Sequence, residues 1–420
     1  MKKIISLLVA VLSFSATCIG FAEEPALQVE LLVKEALAAS PKIIAAREKY
    51  AALQERVPQA GALEDPMLEF GVINLPDNFD FGAEDMTMKE ISVSQKLPFP
   101  GKRDLSREAA AREADAGAAE IEEIANQVEK EVKTAFYDLS HVYRAMEVTR
   151  RNKGILEELS RITQARYSLG MSIQEDIIRI QVEISKMLDE LIMLEQQKAS
   201  LAAKLNFILN RPPDRAVGLP AAVEFRPAAF SIAELQQQAL AENPMLRTLT
   251  REIAARSKAV ELARRDFFPD FNLRLAYGQR DDRRDTYTGT VEMNLPVFYK
   301  SKSERKVAET GADVRSLQAK YDNARNELLY MIADMGSMTQ RLERKIALYR
   351  TGIIPQALLQ FESAVSAYKV NKADFMTLLD SRMRLYRYEL DFHEALTEYE
   401  KNLAGLEAAV GSTFSREVKQ

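Results

Sequence analysis

The stretch FNLRLAYG at positions 271–278, followed by TYTGTVEMNL at positions 286–295, decides how the rest of the chain is interpreted. In both stretches apolar and polar residues alternate, so an extended strand would have one apolar face and one polar face. The charged segment RDDRRD at positions 280–285 separates them. The pattern predicts a β-hairpin with strands at about 270–279 and 286–297.

Two further strands with the same alternation are predicted at about 67–73 and 87–97, joined by an acidic loop. Each strand has about the length that a tilted strand needs to cross a bilayer. An apolar outer face and a polar inner face are typical of a membrane barrel, but a soluble sheet with one wet face alternates in the same way. Four strands cannot close a membrane barrel, which needs about eight, and open strand edges are not tolerated in lipid. If the strands span a membrane, several copies of the chain must therefore share one barrel.

The chain also contains an internal duplication. The segment EALAASP at positions 35–41 returns as QALAENP at positions 238–244, Leu97-Pro98 returns as Leu295-Pro296, and Tyr167 returns as Tyr368. The spacing of about 200 residues is far longer than a solenoid repeat. We therefore predict two structural repeats, at 23–218 and 219–411, and a short C-terminal tail at 412–420.

Long helices are predicted to dominate both repeats. Positions 102–169 contain no proline and are rich in good helix formers, so they predict a helix about 100 Å long. The counterpart at about 302–370 contains Pro355, which is expected to kink it. Shorter helices follow at about 173–209 and 375–410. Their narrow apolar stripes are typical of coiled coils, so a generic coiled-coil scaffold remains an alternative at this point.

The ends and the composition narrow the class of protein. Two lysines, an apolar run at positions 4–14 and small residues predict a secretory signal peptide at 1–22, with lipidation of Cys18 as the alternative. The net charge of −5 argues against a nucleic-acid partner. The apolar run at positions 4–14 is too short for a membrane-spanning helix, and no apolar run of greater length follows it.

Together these features resemble the outer-membrane efflux duct proteins of the TolC family. The resemblance rests on the duplicated Ala-Leu…Pro segments, on SQKLPFPGKR at positions 94–103 and on YSLG at positions 167–170. The segment DPML at positions 65–68 and the LPFPGK segment are most similar to the heavy-metal efflux branch, the CzcC/CusC-like proteins.

The resemblance implies a mainly α fold with a small β part. Long coiled-coil hairpins would continue four transmembrane strands per chain, and a homotrimer would complete a β-barrel in outer-membrane lipid and an α-barrel in the periplasm. The implied partners are a periplasmic adaptor (membrane-fusion) protein and an inner-membrane pump of the RND type. The implied activity is passive transport, without enzymatic chemistry and without a cofactor. Heavy-metal cations are the cargo that the branch implies, and drugs or proteins are the alternatives. The alternative hypothesis is that the chain is a periplasmic coiled-coil adaptor or scaffold protein.

The resemblance also assigns roles at the tips, where the long helices break. An acidic ring at a channel mouth attracts cations, and Thr377 stands where the family has one of its acids. Gly170 and Asn371 occupy matching positions and suit a left-handed turn. The pore or gate candidates are Asp374, Asp380, Asp176 and Tyr368. The candidates for adaptor contact are Leu169, Gly170, Met171, Val370 and Asn371.

Some of these residues have a purely structural interpretation. Ser172 with Glu175, and Ser231 with Glu234, match the capping box of a helix start. For Asp374, helix capping and pore lining are both open. His141 and His393 are the only histidines and are expected to pack between helices. The methionines are scattered, which is typical of core packing, so no metal site is predicted.

Overall fold

The computed structural model describes residues 26–82 and 84–412. The predicted signal peptide, Cys18 and residues 413–420 lie outside the described residues.

Both halves of the chain have the same order of elements. The first half consists of α1 (Val29–Ala39), α2 (Pro41–Gly61), β1 (Met67–Ile73), β2 (Met88–Leu97), α3 (Lys102–Ser168) and α4 (Gln174–Ile208). The second half consists of α5 (Ile232–Glu242), α6 (Pro244–Arg264), a 3₁₀ turn (Arg265–Phe267), β3 (Phe271–Gln279), β4 (Thr286–Met293), α7 (Ser303–Leu348), a π turn (Tyr349–Ile353), α8 (Ile354–Lys369) and α9 (Phe375–Val410). The matching helices α1 and α5 both have 11 residues, and α2 and α6 both have 21.

The duplicated Ala-Leu…Pro segments are helix junctions. Pro41 and Pro244 are the first residues of α2 and α6. A proline suits this position because its missing N–H would have no partner in the helix. In the second copy the side chain of Asn243 also accepts a hydrogen bond from the Leu246 N–H at 3.0 Å. The repeat therefore marks a sharp turn between two helices in each half.

The four strands form one antiparallel sheet in the order β1-β2-β3-β4. The register aligns apolar residues in rows across the sheet, for example Phe70 with Ile91 and Tyr277 with Tyr287. The side chains of this apolar face are exposed in the single chain; Phe70 is 71% exposed and Leu275 is 66% exposed. The outer edges of β1 and β4 have no strand partner within the described residues.

Strand β4 is shorter than predicted. It ends at Met293, whereas the sequence predicted a strand to position 297. Pro296 has no N–H for a strand ladder, and the Val297 N–H bonds back to the Leu295 carbonyl at 2.8 Å. The chain therefore turns towards α7 at this point.

One of the two longest helices is continuous, and its counterpart is interrupted. Helix α3 is continuous over 67 residues. Its counterpart is interrupted by the π turn directly before Pro355, where a kink was predicted. Proline lacks the N–H that would bond to the carbonyl one turn earlier, and the wider π turn accommodates this loss. None of the helices in the described part of the chain is long and apolar enough to cross a membrane.

The long helices pack side by side in the order α4, α3, α9, α8. Helix α3 contacts α4 and α9, and α9 contacts α7 and α8. The outer flanks, on α4 and on α8, carry exposed apolar side chains. These are Ile178, Val182, Leu188 and Ile192 on α4, and Leu358 and Leu359 on α8. In the sheet and in the helical layer, the first repeat thus lies at one end and the second repeat at the other.

Candidate functional site

The two tips have the same backbone turn. After α3, Gly170 has a φ angle of +69°, and after α8, Asn371 has a φ angle of +59°. In each tip the following N–H bonds back across the last helical turn, from Met171 to the Arg166 carbonyl and from Lys372 to the Ala367 carbonyl, both at 2.9 Å. Such a turn ends a helix by satisfying its last carbonyls. The left-handed conformation predicted for both positions is confirmed.

An arginine of the first tip holds the second tip. The Arg166 guanidinium lies over the Tyr368 ring, with its Cζ atom 4.4 Å from the ring centroid. The same group donates hydrogen bonds to the Asn371 side chain and, at 3.5 Å, to the Lys369 carbonyl. A cation over an aromatic face contributes about 0.5–1 kcal/mol when exposed and more when desolvated. The contact joins the two hairpins of one chain at their ends.

Tyr368 lies in the core of the tip region and does not line its surface. Its side chain is only 5% exposed, and its ring packs edge-on against Phe375, with the centroids 6.0 Å apart. Residues of α3, α4, α8 and α9 form the surrounding apolar cluster. The Tyr368 hydroxyl has no hydrogen-bond partner among the residues that the structure describes. This position suits a residue that locks the hairpins together better than one that lines an opening.

The two acids of the second tip differ in their roles. Asp374 is the N-cap of α9, and its side chain accepts a hydrogen bond from the Thr377 N–H at 2.7 Å. The bonds from the Thr377 side chain and backbone lower the pKa of Asp374 below its usual value, so the carboxylate stays charged at neutral pH. Asp380 lies on an exposed position of α9. Asp374 therefore caps the helix while its charge remains accessible to solvent.

The predicted capping box of Ser172 and Glu175 is wrong. Helix α4 begins after Ile173, and the carboxylate that serves its start belongs to Asp176. Asp176 accepts hydrogen bonds from the Ser172 hydroxyl at 2.8 Å and from the Ile173 N–H at 3.4 Å. Glu175 instead forms an ion pair with Arg179, one turn further along α4. The helix starts one residue later than the motif implied, so the acid three residues after the cap is Asp176.

The second predicted capping box is only partly present. Ser231 occupies the N-cap position of α5, but its side chain makes no capping hydrogen bond, and Glu234 lies in the first turn of the helix. The sequence motif located the start of the helix correctly. The reciprocal hydrogen bonds that the motif predicted are absent from this part of the described chain.

The candidates for adaptor contact lie on an exposed apolar end. Leu169 is 73% exposed, and Met171, Ile173 and Val370 are exposed as well. Exposure of large apolar side chains to water is unfavourable, and a group of them on a surface is typical of a contact site. Gly170 and Asn371 shape the two turns that present these side chains.

The two histidines meet between α3 and α9, although 252 positions separate them in the sequence. His141 and His393 are both half-buried. Burial lowers the pKa of both, and for His393 burial together with the neighbouring positive charge of Arg144 lowers the pKa to about 4. Residues 26–82 and 84–412 contain no group of three or more His, Cys, Asp or Glu side chains with the geometry of a metal site.

Two residues of this region were not predicted from the sequence: Arg166 and Arg382, which is a buried cation further from the tip. Arg382 is 3% exposed, and its Nε donates to the Asn152 side-chain oxygen at 2.6 Å. Comparing the two repeats could have found Arg166, because the matching position in the second repeat is Ala367. No sequence pattern connects Asn152 with Arg382, since they belong to helices of different repeats.

The sequence profile described as "Outer membrane efflux protein" matches residues 32–211 and 235–412. The chain belongs to this family. Each matched segment contains one copy of the duplicated unit, and the two segments together cover most of the chain. Family membership confirms the predicted outer-membrane location and the assignment as a transport component that is not an enzyme. The adaptor alternative is not supported by this match.

Solved structures show the same fold at low sequence identity. The outer membrane protein VceC of Vibrio cholerae is 18% identical, with a TM-score of 0.78 over 92% of this chain and 97% of that chain. CusC is 15% identical, with a TM-score of 0.76 over 92% of each chain. The MtrE outer membrane channel of Neisseria gonorrhoeae, solved in an open state, is 16% identical, with a TM-score of 0.74 over 93% of this chain and 91% of that chain. No curated protein sequence matches the chain.

Proposed function

We propose that the protein is the outer-membrane duct of a tripartite efflux system and that it works as a homotrimer. The observation that carries this proposal is the sheet, which has an exposed apolar face and two edges without a strand partner in the described chain. Three copies would supply twelve strands, enough to close a barrel in which β4 of each copy pairs with β1 of the next.

The helical layer supports the same assembly. Its apolar flanks, on α4 and α8, lie at the same two ends as the free strand edges. One neighbouring copy could therefore cover a strand edge and a helix flank together. Long helices need such lateral packing, because isolated helices are only marginally stable in water.

The partners that we propose are a periplasmic adaptor and an inner-membrane pump of the RND type. The exposed apolar side chains of Leu169, Met171 and Val370 support docking at the tips. The duct itself would be passive, and the pump would supply the energy and select the cargo.

We also propose that Asp374 and Asp380 form an acidic mouth that Arg166 and Tyr368 help to keep closed. In a trimer each acid would give a ring of three charges, which attracts cations. Asp176 is a weaker candidate for this ring, since its carboxylate already serves the start of α4.

Heavy-metal cations are the cargo that the resemblance of the DPML and LPFPGK segments supports. A deletion strain should lose tolerance to such cations, and the wild-type gene should restore it. A strain that loses tolerance only to organic drugs would contradict the metal assignment and leave the duct assignment intact.

The central test is reconstitution of the purified protein in planar bilayers. We expect a detergent-resistant trimer that forms discrete channels. The variants D374N and D380N should lower the preference for cations over anions. Asparagine still caps a helix, so D374N removes the charge without removing the cap. A monomer that never inserts would overturn the proposal, and wild-type selectivity in both variants would remove the acidic mouth.

A further inference from the structure

The polar face of the sheet contains a compact charge network built from three strands. Arg274 on β3 is 33% exposed, and its Nη2 lies 2.8 Å from a Glu90 carboxylate oxygen and 3.2 Å from a Glu69 carboxylate oxygen. Its Nε donates to the Ser92 hydroxyl at 3.1 Å. One guanidinium thus holds an acid of β1 and an acid of β2.

The register places this network on the face opposite the apolar rows. Glu69 pairs with Ser92, and Ser94 pairs with Arg274. The intervening residues of β1 and β2 are apolar and lie on the other face; these are Phe70, Ile91 and Val93. In a barrel with its apolar face in lipid, the network would therefore face the lumen. This step rests on the proposed trimeric duct.

The network contains more acidic groups than basic groups. Strand residues on the polar face include three acids and two bases, but Glu292 bonds to Asn272 and Lys96 bonds to Glu64, both away from the network. At the level of Arg274 there are two carboxylates and one guanidinium per chain. Without the guanidinium, a trimer would present six uncompensated carboxylates at one level of the lumen.

Such a ring of carboxylates would change the selectivity of the channel and the rate at which cations leave it. Rings of acidic side chains select cations, and conduction requires that binding stay weak enough for the ion to leave. We propose that Arg274 is a specificity-determining residue, which cancels half of the negative charge of the ring of Glu69 and Glu90, so that the barrel binds departing cations less strongly. The charge of Arg274, held by two carboxylates and a hydroxyl, is the feature that performs this role.

The chain offers a matched control on the same sheet. Lys89 pairs with Val72 and Gln279 and lies on the apolar face, where its ammonium group is 4.8 Å from the Phe81 ring centroid. The variant K89Q removes the same unit of charge as R274Q, but on the face that points away from the lumen.

The test measures the ratio of potassium to chloride permeability of the reconstituted trimer in a salt gradient. R274Q should raise the ratio about twofold or more, since the acidic ring is then uncompensated. R274K should stay close to wild type, because it keeps the charge. The double variant E69Q/E90Q should lower the ratio about twofold, and K89Q should leave it unchanged.

The outcomes separate this inference from the proposed function. A wild-type protein that forms no channels defeats the duct itself. Channels with an unchanged ratio in R274Q, or an equal shift in R274K and R274Q, would overturn the role of the Arg274 charge. If R274Q fails to insert, the E69Q/E90Q variant decides, and an unchanged ratio there also overturns the inference.

Discussion

The guanidinium of Arg166 at the end of α3 stacks on the ring of Tyr368 at the end of α8, 4.4 Å from its centroid. Arg166 also donates hydrogen bonds to Asn371 and to the Lys369 carbonyl, so this one side chain links the ends of the two repeats. A movement that separates the two hairpins must break all of these contacts. The tip is therefore the place where a change of one side chain should alter the width of the mouth.

The first prediction concerns this link. R166A should increase single-channel conductance, because it removes the cation and its hydrogen bonds together. Y368F should remain near wild type, since the Tyr368 hydroxyl has no partner among the described residues and the ring is kept. R179A is the matched control, because Arg179 pairs with Glu175 within α4. Equal conductance in R166A and R179A would contradict the prediction.

The second prediction tests the two faces of the sheet. L275R places a charge on the apolar face and should reduce membrane insertion by about 2–4 kcal/mol near the bilayer centre. T288R places the same charge on the opposite face, in the row of Ala276, and should insert normally. Insertion into liposomes, measured for both variants, is the readout. Equal insertion of the two variants would exclude a lipid-facing apolar side.

The third prediction concerns the buried cation Arg382. Asn152 accepts its Nε–H at 2.6 Å, and hydrogen bonds to charged groups contribute about 1.5–3 kcal/mol. N152A should therefore lower the free energy of unfolding by about 2–3 kcal/mol in chemical denaturation. Q54A is the control, since Gln54 is exposed and its side chain bonds to Tyr50 on its own helix. A loss in N152A no larger than in Q54A would show that Arg382 finds another partner.

The fourth prediction is a dependence of stability on pH. The folded protein lowers the pKa of His393 from 6.5 to about 4, through burial first and then through the charges of Arg144 and Arg151. Between pH 6.5 and about pH 4, the unfolded chain therefore binds a proton at His393 that the folded chain does not bind. The contribution of His393 to stability is fully present above pH 6.5 and is lost as the pH falls towards about 4.

The measurement for this prediction is the free energy of unfolding between pH 7 and pH 4 in the wild type and in H393Q. The slope should be shallower in the variant. His141 lies beside His393 and also has a lowered pKa, so H141Q should have a smaller effect of the same sign. Parallel curves for the wild type and H393Q would rule out His393 as the source.

Much of the fold could be predicted because local patterns dominate it. Helix α3 follows from a proline-free run of helix formers, and β1 and β3 follow from alternation, so their bounds agree with the structure within one or two residues. Local patterns were less reliable where one residue decides the geometry. The sequence did not predict the early end of β4 or the role of Asp176 at the start of α4, because each depends on where one hydrogen bond forms.

The candidate site likewise has features that could be predicted from local sequence and features that could not. The tip turns at Gly170 and Asn371 were predictable, since the need for a left-handed residue is a property of the local backbone. The contacts of Arg166 with Tyr368, of Asn152 with Arg382 and of His141 with His393 were not, because each joins the two repeats.

The sequence by itself determined the duplication, the long helices, the two faces of each strand and the positions of both tips, because periodicity and turn chemistry act over a few neighbouring residues. The tertiary structure alone decided which side chains meet across the repeats. In the folded chain Tyr368 is buried beneath Arg166, Arg382 is buried beside Asn152, and Arg274 lies between two acids. These contacts form because side-by-side packing of helices and strands brings together residues some 200 positions apart.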